Sequence, residues 1–168
     1  MKFFTQELWD RIGSENESIR LVADKEWEQN IIEYNKQFER VKKSLTKKFL
    51  DLYLKNNEFH DFYLVGVEII RSKLKRIPFV DFQIKVSNGQ NTYEIWYKSV
   101  SNLCIHGNYS SENFDYLAYR QGVMDSWGYD EFDININNIL VHEILFLSGT
   151  TFKIECSHIS IKKIRISF

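Results

Sequence analysis

From Trp27 onward, apolar side chains recur at Ile31, Tyr34, Phe38, Val41, Leu45, Phe49 and Leu52, at spacings of three and four. At about 100° per residue these positions fall within about 40° of one line along a helix. Such a stripe must be buried, and its aromatics suit packing across a sheet better than the Leu/Ile/Val seam of a two-stranded coil. The pattern predicts a long amphipathic helix ending near Asn56-Asn57, with a break around Ser44–Thr46. Lys36, Arg40, Lys43 and Lys47 lie near the opposite face, with Glu28, Glu33, Glu39 and Asp51 on the flanks, which describes a solvated outer surface. A shorter helix is expected at Thr5–Ile12, closed by Gly13. Ser14-Glu15-Asn16-Glu17 reads as a capping box for the long one.

After Asn57 the period changes. Phe62–Ile70 is almost continuously apolar, as in a strand covered on both faces or central in a sheet. Val80, Phe82, Ile84 and Val86 alternate with polar residues, and Asn88-Gly89 supplies a hairpin turn before Tyr93, Ile95 and Tyr97. Leu103–Ile105 is a further short strand, and residues 107–133 are looser in pattern. Strand texture returns at Ile139–Leu147, runs back through Phe152, Ile154 and Cys156 after Ser148-Gly149-Thr150, and ends with Ile159, Ile161, Ile164, Ile166 and Phe168. Helices followed by strands joined through short turns indicate the α+β class: N-terminal helices on an antiparallel sheet of about five to seven strands.

The chain has 168 residues, 43% hydrophobic and 15% aromatic, enough apolar area for one core. We expect a single domain over 1–168, helical over 1–57 and mainly antiparallel sheet over 58–168. The net charge of −1 draws the chain toward neither nucleic acid nor membrane, and no apolar run approaches the ~20 residues of a membrane helix. With two cysteines, Cys104 and Cys156, far apart and no signal-peptide pattern, reduced thiols and a cytoplasmic location are expected.

No Gly-rich phosphate loop, nucleophile elbow or metal-ligand spacing is present, so no cofactor, metal or catalytic residue is assigned. His142-Glu143 starts like a zinc-protease helix but has Phe146 where the second histidine belongs, and reads as strand; His142 is expected as a hydrogen-bonded core or rim residue. Cys104 and His106, two apart on one strand face, are the material for a thiolate pair. Arg71, Lys73, Lys75 and Arg76 form a compact basic cluster that suits a solvated turn.

Residues 109–133 are more informative. Glu112, Asp115, Asp125, Asp130, Glu131 and Asp133 stand against one base, Arg120, interleaved with Tyr109, Phe114, Tyr116, Tyr119, Trp127, Tyr129 and Phe132. Read as a surface, this is an acidic rim around aromatic anchors, suited to a protein partner with a basic face and repellent to phosphates. Read as structure, it is a segment tucking rings into the core with its acids in water. On the surface reading, protein contact falls on Asp115, Tyr116, Tyr119, Trp127, Asp130 and Glu131.

The opening Met1-Lys2-Phe3-Phe4-Thr5-Gln6-Glu7-Leu8-Trp9 resembles the start of an uncharacterised family of Gram-positive bacterial proteins. Trp127-Gly128-Tyr129-Asp130-Glu131-Phe132, with His142-Glu143-Ile144-Leu145-Phe146-Leu147-Ser148-Gly149, resembles the end of small immunity-type proteins encoded beside polymorphic toxins. The resemblance covers about a third of the chain. It implies a cytoplasmic antitoxin that occludes a toxin domain, often a nuclease with a basic cleft. The expectation is thus a non-catalytic protein-binding protein of undetermined oligomeric state. The alternatives are a small hydrolase-like enzyme using Cys104 and His106 or the carboxylates near 130, and a structural or regulatory partner that associates through the long helix.

Overall fold

A computed structural model of the chain describes residues 1–71, 80–107 and 122–164. Lys73, Lys75, Arg76, Asp115, Tyr116, Tyr119, Ile166 and Phe168 lie outside the described residues.

Helix α1 (Gln6–Ile12) starts at Thr5, whose hydroxyl accepts the amide of Leu8. Gly13 closes it in the right-handed region (φ −76°), so its freedom to adopt positive φ is unused. Helix α2 (Glu17–Val41) is capped by Asn16, not by the expected Ser14. The Asn16 carboxamide oxygen accepts from Ser18 and Ile19, while the Ser14 hydroxyl accepts only from Asn16. A turn of 3₁₀ helix (Lys42–Ser44) follows, and Thr46 restarts the chain as α3 (Lys47–Lys55), a break where the sequence placed one. Tyr34, Phe38, Val41, Leu45 and Phe49 of the apolar stripe are buried, whereas Trp27 and Leu52 are half-buried and Ile31 is exposed.

Among the described residues eight antiparallel strands follow: β1 (Tyr63–Arg71), β2 (Val80–Ser87), β3 (Thr92–Val100), β4 (Asn102–His106), β5 (Asp125–Ile134), β6 (Leu140–Phe146), β7 (Thr151–Cys156) and β8 (His158–Ile164). Their order is β4-β7-β6-β5-β1-β2-β3-β8, one more strand than the upper expectation. The extra one is β5, within the stretch read as loose. The sheet coils until β3 and β7, near its two ends, meet: Ser101 N donates to Glu155 O at 2.9 Å and Ser157 N to Lys98 O at 3.0 Å.

Within the coil, Phe82, Ile84, Tyr97, Ile144, Phe146 and Ile154 form a core that α2 and α3 close from one side. Strand β1 departs from expectation. It pairs with β2 throughout but with β5 only through Tyr63 and Leu64, and Val67 and Ile69 are exposed, so it is central in order without being covered on both faces.

Because β5 leaves β1 so early, the far edge of β5 needs other partners, and α2 supplies them. Phe132 N donates to the Tyr34 hydroxyl at 2.9 Å, and Gln37 Nε2 donates to Phe132 O at 2.8 Å. No described helix is long and apolar enough to cross a membrane.

Candidate functional site

The docking face expected around residues 109–133 does not form from its described members. Trp127, Asp130 and Glu131 are all buried. The reason is local. A register shift at Gly128 lets β5 turn Trp127 into the core beside Phe59, His142 and Phe146. A Cβ at Gly128 would lie 2.7 Å from the Trp9 ring and 2.9 Å from Leu145 O, so only glycine allows this approach. The two carboxylates are buried because each has found donors. Glu131 accepts the amides of Lys2 (2.8 Å), Phe3 (2.7 Å) and Phe4 (2.7 Å), strapping the N-terminal segment to the sheet. Asp130 accepts from the Tyr53 hydroxyl at 2.8 Å and from Trp127 Nε1 at 3.3 Å, and meets His142 Nε2 at 2.7 Å.

His142 is the hydrogen-bonded core histidine that its strand position suggested. It is fully buried, stacked on Phe132 with centroids 3.9 Å apart, and its Nδ1 lies 2.8 Å from the Tyr97 hydroxyl. Burial pushes the Tyr97 pKa well above its usual value, so the hydroxyl keeps its proton. We assign that proton to the bond with Nδ1, leaving Nε2–H to donate to Asp130. Every polar atom in the chain Tyr97–His142–Asp130–Tyr53 then has a partner. The Asp130 carboxylate is buried among three donors, the Tyr53 hydroxyl, Trp127 Nε1 and His142 Nε2.

That charge is felt in a half-open cavity of about 320 Å³ between α2, the end of α3 and β5. Phe4, Trp27, Tyr34 and Tyr129 form a box of rings along it: Phe4–Trp27 at 4.9 Å, Trp27–Tyr129 at 4.6 Å, Phe4–Tyr34 at 5.3 Å. Asp130, Tyr53, Glu58 and His60 are also in the lining, and no lysine or arginine is among the described residues there. Burial first, and the Asp130 charge second, push the hydroxyl pKa of Tyr34 and Tyr53 upward. The Glu58 carboxyl is raised by the same two causes, partial desolvation before Asp130, against a smaller pull from His60.

Glu58 and His60 reach the mouth on an unusual turn. Asn57, Glu58, Phe59 and Asp61 all have positive φ, between 51° and 63°, a region that side chains other than glycine enter at a cost. Phe59, fully buried against Tyr53, Phe62, Tyr93 and Trp127, pins the turn from below, and Asp61 N donates to Trp127 O. His60 Nδ1 lies 2.6 Å from Gly128 O, and its ring lies 4.9 Å from Tyr129.

Of the described sequence-nominated contact residues, Trp127, Asp130 and Glu131, only Asp130 lines this cavity, and Tyr129 of the same stretch is one of its rings. Phe4, Trp27, Tyr34, Glu58 and His60 come from scattered elements and share no motif. The sequence marked Trp27, Ile31 and Tyr34 as one buried helix stripe; the exposure of Ile31 beside the cavity comes from the structure. No protein-family model matches the chain, and neither a curated protein nor a solved structure matches it.

Proposed function

We propose that this chain is a non-catalytic binding protein that captures a basic partner protein, and that the ring-lined cavity receives a lysine or arginine side chain from it. One observation carries the reading: the buried Asp130 carboxylate backs an aromatic box with Glu58 at its mouth. A cation over such rings gains about 0.5–2 kcal/mol, more where water is excluded, and the carboxylates add attraction that shapeless apolar contact would lack. A volume of about 320 Å³ suits one long side chain. The resemblance to immunity-type proteins supplies a partner of this chemistry, a toxin domain with a basic cleft, occluded in the cytoplasm by stoichiometric binding.

The test has two arms. N-acetylarginine amide should shift the Trp27 indole N–H resonance, whereas the neutral N-acetylnorleucine amide should not. With such a basic-clefted toxin domain as partner, Glu58→Lys should weaken a one-to-one complex by about thirtyfold or more, since like charge at a contact costs several kcal/mol. Equal shifts from both amides, or unchanged affinity in Glu58→Lys and Trp27→Ala alike, would overturn the proposal.

A further inference from the structure

On the other side of the N-terminal segment lies a second cleft, of about 300 Å³, lined by Gln6, Cys104, His106, Glu143, Thr151 and Lys153. Cys104 and His106 sit on β4, the last strand at one end of the sheet, where alternation turns both to the same face. The imidazole reaches back so that its Nε2 lies 3.1 Å from Cys104 Sγ. The thiol is half-exposed and therefore reachable. From β6, β7 and the N-terminal segment the charged groups facing the pair are Glu143, Lys153 and the Met1 amine, the two cations both engaging the one carboxylate.

A further feature of the cleft is Gln6. Its Nε2 donates to Asp10, while its Oε1 is buried without a hydrogen-bond partner, alone in that respect among the described buried side-chain atoms. A buried acceptor with no donor calls for one from an occupant.

We propose that Cys104 and His106 form a thiol–imidazole site that exchanges with a small-molecule disulfide bearing an amide N–H, giving a mixed disulfide at Cys104. His106 Nε2 takes the Cys104 proton. The thiolate attacks one sulfur of the disulfide, forming a new S–S bond as the old one breaks. The departing thiolate takes the proton from the imidazolium and leaves as a thiol, so Cys104 is oxidised as the released sulfur is reduced. An amide N–H of the retained half meets Gln6 Oε1. Acyl transfer would need donors converging on a developing oxyanion; exchange at sulfur needs only the thiolate and a proton for the leaving group.

The chain has two cysteines, and the other is unsuited to resolve the adduct. Cys156 is wholly buried, and burial pushes its thiol up to about 12. The mixed disulfide therefore persists until an external thiol removes it: a reversible cap on Cys104, in a cleft distinct from the aromatic cavity.

The experiment treats the full chain with oxidised glutathione between about pH 6 and 9 and follows intact mass without reductant. One glutathionyl group should add, at Cys104, and none to Cys104→Ser. His106→Asn should slow addition about tenfold or more across that pH range. Gln6→Ala should slow glutathione disulfide severalfold yet leave hydroxyethyl disulfide, which has no amide, unchanged. The variants' melting curves establish that they fold. Addition at Cys156, a wild-type rate in His106→Asn, or equal effects of Gln6→Ala on both disulfides would each overturn the proposal.

Discussion

Replacing Glu131 with alanine removes the acceptor for three consecutive amides. Oε1 takes those of Phe3 and Phe4, and Oε2 takes that of Lys2. Phe3 and Phe4 are buried, so their N–H groups would lose their partner where water does not replace it; the Lys2 amide, part-buried, can be rehydrated. Two orphaned buried donors cost about 1–3 kcal/mol each. Releasing the carboxylate from its own desolvation returns part of that. The net expectation is a loss of about 3 kcal/mol for Glu131→Ala. Glu131→Gln keeps a neutral acceptor at Oε1 but turns an NH₂ toward the Lys2 amide, and should cost about half as much. Urea unfolding gives both numbers, with the slope m unchanged if only the native contacts differ. Hydrogen exchange at Phe3 and Phe4 should quicken before the rest of the chain responds. A loss under about 1 kcal/mol in Glu131→Ala, or a larger loss in the glutamine variant, would refute the view of Glu131 as the clasp of the N-terminal segment.

Gly128→Ala should destabilise by about 1–3 kcal/mol in thermal unfolding, because the new methyl meets the Trp9 ring and Leu145 O. Tyr53→Phe strips Asp130 of a fully buried donor at 2.8 Å and should cost about 1.5–3 kcal/mol by denaturant titration. Glu58 has a folded pKa above its ordinary 4.5, so the fold holds its proton more tightly than the unfolded chain does. Its stabilising contribution is complete below 4.5 and is lost as pH rises through the folded value, and Glu58→Gln should flatten the stability–pH curve in that window. In the opposite sense, because deprotonation places a negative charge at the cavity mouth, capture of N-acetylarginine amide should strengthen as pH rises through that window, seen by titration of the Trp27 resonance.

The helical third and the β2–β3 hairpin were readable because their information is local: the apolar stripe, the break at Ser44–Thr46 and the Asn88-Gly89 turn each depend on neighbours within a few residues. Strand β5 was not. Gly128 and the acids Asp125, Asp130, Glu131 and Asp133 interrupt its alternation, so it looks like water-facing loop. Each buried acid there is satisfied from far along the chain, Asp130 by Tyr53 and His142, Glu131 by the first residues, and nothing in composition announces such donors. The cavity was hidden for the same reason, since Phe4, Trp27, Glu58 and Tyr129 meet only through the fold. The Cys104–His106 pairing was the converse case. Two positions on one strand sufficed to nominate it, but side-chain reach and the surrounding cleft had to come from the structure.

The strap held by Glu131 is a party wall. Phe4 stands in the aromatic chamber, while Thr5 and Gln6 stand in the thiol cleft directly next along the chain. A glutathionyl group seated against Gln6 and a guanidinium seated against Phe4 thus press on opposite sides of the same few residues. If the wall yields to either tenant, linkage makes the other feel it by an equal factor. Affinity at one room is therefore a quantity to be measured with the other both empty and occupied.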